Sequence, residues 1–215
     1  MSLPDSDFGI FSCWINIHGE TLNQAAYIFN AWNAGPTSEI LGFFIYNGDF
    51  YVANGFVQLS LNTTGAALMS GDGWHHLLFA WDTTGASFAG TLYIDDVSTA
   101  FTVTQYAQVP LPWSQFDQAN LMSYIIGGTG LFDGCFAQCY VNTQEFLDFT
   151  ITANRRFFIT ATLNNVDLGP TGEVPTGTSP SFYITGNVSM LYNSGGFSTN
   201  ETVIGTFINC TDPTP

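Results

Sequence analysis

Short runs of aromatic and β-branched residues, broken by clusters of Gly, Asn, Asp, Ser and Thr, recur along most of the chain. That pattern predicts strands rather than helices, at the regular spacing of a β-sandwich. The predicted strands cover residues 9–17, 26–31, 40–46, 50–53, 57–61, 74–82, 91–94, 123–126 and 135–142, with a last pair at 181–185 and 202–209. Turn chemistry falls between them. Asn47-Gly48-Asp49 closes a hairpin between FFIY and FYVA, and Asp95-Asp96 follows TLYI.

One segment changes period. In QEFLDFTITANRRFFIT, Phe146, Phe149, Ala153 and Phe157 return at three- and four-residue intervals, which predicts a short helix over 150–159. Arg155 and Arg156 then occupy its last turns, where cations suit the helix dipole. The following 169–180 stretch is rich in Gly, Pro and Thr and is expected to be loop.

The 215 residues, 46% hydrophobic and 16% aromatic, are enough for a sizeable core and too aromatic for a disordered chain. Charge narrows the partners. Seventeen acids against two bases give −15, with no lysine. Without a basic stripe the chain cannot neutralise a row of phosphates, which excludes nucleic acid, and anionic membrane surfaces are disfavoured for the same reason. No apolar run is long enough to span a bilayer, so no membrane insertion is expected. The N-terminus MSLPDSDFGIF lacks a basic segment followed by an apolar one, so no signal peptide is expected and synthesis in a cytoplasm follows if Met1 is the native start.

Cys13, Cys135, Cys139 and Cys210 could form two disulfides or none. Cys135 and Cys139, four residues apart in one strand, would lie roughly 13 Å apart, beyond bridging distance. Buried free thiols are the simpler expectation.

The string from Asp72 through Trp74-His75-His76 to Trp81-Asp82, followed by Leu92-Tyr93-Ile94-Asp95-Asp96, resembles the laminin-G-like (concanavalin A-like) sandwich family. Phe11-Ser12-Cys13-Trp14-Ile15 resembles its first core strand. Ile125-Ile126-Gly127-Gly128 and Phe132-Asp133-Gly134-Cys135-Phe136-Ala137 resemble its closing strand. Downstream, Ala153-Asn154-Arg155-Arg156-Phe157-Phe158-Ile159, Val166-Asp167-Leu168-Gly169 and Pro175-Thr176-Gly177 resemble the extension of such modules in bacteriophage and prophage structural proteins. The resemblance implies an all-β, antiparallel, two-sheet jelly-roll over 8–142, with a C-terminal extension over 143–215 (one short helix, a loop and a small β part) packed on it. It also implies that Cys13 neighbours Cys135 or Cys139, within reach of a disulfide. Arg155 and Arg156 are expected to pair with carboxylates and dock the helix on the sandwich.

Chemistry is sparse. The glutamates are isolated, so the acid pair of a glycosidase is missing. His75 and His76, adjacent on a strand, point to opposite faces and cannot share a site. No nucleophile elbow, phosphate loop or zinc motif occurs, and no enzyme activity is expected. Trp32 and Trp113, in loops beside polar residues, are the candidates for stacking on a sugar ring. Calcium is a candidate ligand, as in other lectin-like sandwiches, though the acids form no nameable ligand set and no other cofactor is implied. The Asn-x-Ser/Thr sequons at Asn62, Asn187, Asn200 and Asn209 are expected to be chance in a Thr/Asn-rich chain.

Two functions follow. One is a non-enzymatic phage virion component (decoration, tail or fibre subunit) with other virion proteins and further copies of itself as partners. The alternative is a lectin-like module that recognises a host-surface glycan.

Overall fold

A computed structural model describes residues 3–19, 25–32, 40–54, 59–66, 68–116, 118–121, 132–184 and 192–193. Its strands are β1 Phe8–Ile17, β2 Ala26–Trp32, β3 Ile40–Tyr46, β4 Asp49–Asn54, β5 Leu59–Thr63, β6 Trp74–Asp82, β7 Ala89–Ile94, β8 Val97–Ser98, β9 Phe101–Tyr106, β10 Gln118–Leu121, β11 Gly134–Asn142, β12 Phe182–Ile184 and β13 Tyr192–Asn193. The α-helix, α1, is Thr152–Arg155. Two antiparallel sheets form a jelly-roll sandwich. One has seven strands in the order β13-β12-β11-β1-β6-β7-β8, the other six in the order β10-β2-β3-β4-β5-β9.

Alternation along the strands explains the core. Phe11, Cys13 and Ile15 of β1 and Leu77, Phe79 and Trp81 of β6 face Phe43, Ile45, Phe50, Val52 and Leu61 of the other sheet, all buried. Phe11 lies flat on Phe43 with ring centroids 4.3 Å apart, and Phe79 meets Phe43 and Phe50 edge-on. Such pairs add about 0.5–1.5 kcal/mol each beyond their burial.

The seven-stranded sheet is apolar on its outer face as well. Ile10, Leu78, Ala80, Tyr93, Tyr140 and Tyr183 lie buried there with Phe149, Phe158 and Leu168 of the extension. Trp14 and Ala137 pack with Ile159. This second layer positions everything that follows, because it leaves only the six-stranded sheet with an outer face free of the described extension.

The extension is also part of the sandwich itself. Its strand β12 pairs with β11, and Phe182 and Ile184 enter the central core. The helix expected over 150–159 shrinks to α1, followed by turns through Phe158. The physical reason is that Phe149 and Phe158 stack edge-on at 5.7 Å and must enter one cluster beside Tyr140, which a continuous helix would not arrange. Strands β8, β9, β10 and β13 add to those expected from the pattern. The strands expected at 123–126 and 202–209 lie outside the described residues.

Candidate functional site

The densest polar cluster surrounds the turn between β7 and β8. Asp95 and Asp96 both have positive φ, 51° and 62°, and Ile94 pairs with Val97, so they form a two-residue type I′ turn. Asp95 Oδ2 is 2.7 Å from His75 Nδ1, and its Oδ1 accepts the His76 backbone N–H at 2.8 Å. Asp96 receives Arg155 Nε on one oxygen and Arg156 Nη2 on the other, both at 2.6 Å. Arg155 also donates to the Phe149 carbonyl and lies 4.4 Å over the Tyr93 ring. The two arginines of the chain therefore tie the extension to the sandwich through one carboxylate. Burial would raise the Asp96 carboxyl, but the Arg156 and Arg155 hydrogen bonds outweigh it and hold the group below its ordinary value.

This cluster is built to hold structure. His76 is 1% exposed and hydrogen-bonded to buried Ser12 at 2.9 Å. Burial pushes its imidazole down to about 3, so it is neutral, and no substrate can reach either group. On the neighbouring His75, the Asp95 hydrogen bond raises the pKa against the opposing effect of burial, while Nε2 is buried without a partner among the described residues.

The outer face of the six-stranded sheet differs. Register places Tyr27 opposite Phe44, Phe44 opposite Tyr51, and Tyr51 opposite Asn62, which pairs in turn with Thr102. Tyr27 and Phe44 stack at 4.8 Å, and Phe44 and Tyr51 at 5.2 Å with planes 9° apart. Tyr46 closes edge-on against Tyr51 at 6.0 Å. All four rings are half-buried on a face where alternation would ordinarily place polar side chains. Next to them, Asn30 accepts a hydrogen bond from Asn120 across β2 and β10. Gly42 permits the arrangement, since a Cβ there would stand 2.7 Å from the Tyr27 ring. Its hydrogen is the space into which that ring leans. The result is an apolar ridge across three strands, flanked by amides and hydroxyls.

The two tryptophans proposed for sugar stacking separate. Trp32 pairs with Ile40 at the end of β2, in the same register as Asn30 opposite Gly42, so it belongs to this outer face and is half-buried. Trp113 does not fit that role. It is 0% exposed and stacks on Trp81 at 6.3 Å, because the loop carrying it folds back through the Ser6–Leu111 bridge into the core. The sequence supplies the aromatic residues in the outward positions of FFIY and FYVA, and the strand pairing assembles them into a ridge.

Cys13 and Cys139 are free, buried and hydrogen-bonded to each other, and burial first, then Cys139, raises the Cys13 thiol. Cys135 is disulfide-bonded and not to either of them. Among the described residues no group of three or more His, Cys, Asp or Glu converges to hold a metal ion. Nor is any described helix long and apolar enough to cross a membrane.

No protein-family model matches the chain, and no curated protein does. Among solved structures it is similar to a candidate carbohydrate-binding protein from Bacteroides ovatus, with TM-score 0.53 and 14% identity over 84% of this chain and 46% of that one. It is also similar to domains LG4-5 of the mouse laminin α1 chain, at TM-score 0.47 and 12% identity over 66% and 37% of the two chains. A third is the CBM40 of the Ruminococcus gnavus IT-sialidase, bound to α2,3-sialyllactose, at 0.43 and 14% over 60% and 71%. The chain spans less than half the length of the first two. At these identities the likeness shows a shared sandwich fold.

Proposed function

We propose that this sandwich is a carbohydrate-binding module whose ligand lies across the outer face of the six-stranded sheet. One observation carries it. Of the two outer faces, the extension buries one, while the other presents the Tyr27–Phe44–Tyr51 ridge with Tyr46 and Trp32 beside it. A sugar has apolar C–H patches and a rim of hydroxyls, so it matches rings flanked by amides and hydroxyls. The rings already hold one another in place, so little ordering is needed on binding. The similarity to the Bacteroides ovatus protein agrees with this function.

Glycan-array retention followed by calorimetry tests it with Phe44→Ala and Tyr51→Ala. Each removes ring contacts of about 1–1.5 kcal/mol, so Kd should rise roughly tenfold while the circular dichroism spectrum is unchanged. Unchanged affinity in both folded variants would overturn the assignment.

A second function has its own observation. Phe146, Ile151, Phe157, Leu163 and Val174 of the extension are each more than a third exposed. They suit a subunit of a phage particle that acts through protein interfaces, with copies of itself or other virion proteins as partners. Its phage origin rests on the downstream sequence motifs. Mass by light scattering and localisation in purified particles test it: a monomer absent from particles would remove it.

A further inference from the structure

The same face also defines the charge of its ligand. The sequence contains no lysine, two arginines and three histidines. Arg155 and Arg156 are both spent on Asp96, on the far side of the sandwich. His75 and His76 lie on β6 and His18 follows β1, with His18 Nε2 3.7 Å from Cys135 Sγ, so none of the three is on a strand of the six-stranded sheet. The outer face of the six-stranded sheet therefore has no cationic side chain to offer. The polar groups along its register rows are Ser60, Gln105, Asn62, Thr102 and Asn120, with Asp49 opposite Tyr46 and the tyrosine hydroxyls, while Asn30 is buried. Negative charge reaches this face too: burial and then the Asp49 carboxylate push the Tyr51 phenol up.

Carboxylate, sulfate and phosphate groups on sugars are recognised by charge-assisted bonds from Arg and Lys, the bidentate Arg fork above all. A face without cations on a chain of net charge −15 opposes such ligands at contact and at a distance. From this distribution of charge we infer that the ligand is an uncharged glycan, and that uronate-, sialate- or sulfate-bearing glycans are rejected. The inference rests on the assignment of this face as the glycan site.

The experiment is retention of the wild-type chain at physiological salt, with and without EDTA, on two immobilised sets. The neutral set is cello-, xylo-, laminari- and galacto-oligosaccharides. The anionic set is polygalacturonate, hyaluronate, heparin and sialyllactose. The expected result is retention on at least one neutral glycan, about tenfold or more above every anionic one. Equal or stronger retention on an anionic glycan, EDTA-sensitive or not, would overturn the charge inference while leaving glycan binding standing. Retention on neither set would overturn both.

Discussion

Replacing Asp96 by Asn removes one charge from the point where both arginines converge. Asn tolerates the left-handed backbone at this position, so the substitution isolates the charge from the turn. Arg155 and Asp96 side chains are 11% and 17% exposed, Arg156 is 31% exposed. The cluster thus lies between a solvated ion pair, worth about 0.2–1 kcal/mol, and a buried one, whose breakage costs about 3–5 kcal/mol. Arg155 keeps the Phe149 carbonyl, the Thr152 hydroxyl and the Tyr93 ring, which softens the loss. About 2–3 kcal/mol is expected, which for a chain of this size lowers Tm by roughly 4–12 °C. Arg156→Gln, at the more exposed partner, should cost about 1 kcal/mol or less. Because the Asp96 carboxyl is held low, its stabilisation is complete above the ordinary carboxyl pKa and fades as pH falls through the folded value. The variant should lack that acid-side loss. Urea and thermal denaturation across pH supply the numbers. A change in the neutral range below about 0.5 kcal/mol would refute the idea that Asp96 clasps the extension to the sandwich.

Other outcomes are equally open to measurement. His76, neutral in the fold with its pKa near 3, should make stability fall as pH drops below the ordinary histidine value, by up to about 1.4 kcal/mol per pH unit. His75, raised by Asp95, contributes stability that is present below the ordinary histidine pKa and lost as pH rises through its folded value; His75→Gln should flatten that alkaline decline in urea midpoints. Gly42→Ala forces the Tyr27 ring off the sheet, and should weaken glycan affinity severalfold while costing less than about 1.5 kcal/mol of stability. Cys13 and Cys139 should react with a thiol reagent only after denaturation, and reaction of either in the native state would contradict their burial.

The strands of the core were legible because strand-length apolar runs and turn chemistry agree there. Residues 40–46 and 74–82 were bounded correctly from pattern alone, since each is a strand-length apolar and aromatic run that ends at a turn signal, Asn47 or Asp82. Strand β9 escaped notice because its middle residues are exposed, and no buried face marks them. Trp113 was misplaced for a different reason. Polar neighbours in sequence suggested a solvated loop, whereas Leu111, Pro112 and Phe116 are buried around it and anchor the loop inward. The ring ridge depends on which strands become neighbours, through Tyr27 opposite Phe44 and Phe44 opposite Tyr51, and only pairing reveals that. Likewise, the arginines could be expected to find carboxylates, but their joint capture by Asp96 required β7 and α1 to meet in space.

Glycan binding by the outer face of the six-stranded sheet is tested most directly by titrating the isotope-labelled protein with the neutral oligosaccharide it retains and mapping amide shifts by NMR. Saturable shifts concentrated on Tyr27, Trp32, Phe44, Tyr51 and Asn62, with the Asp96–Arg155 cluster silent, are the predicted result. Shifts centred on the extension around Ile151 and Phe157, or no saturable shifts with any glycan, would contradict it.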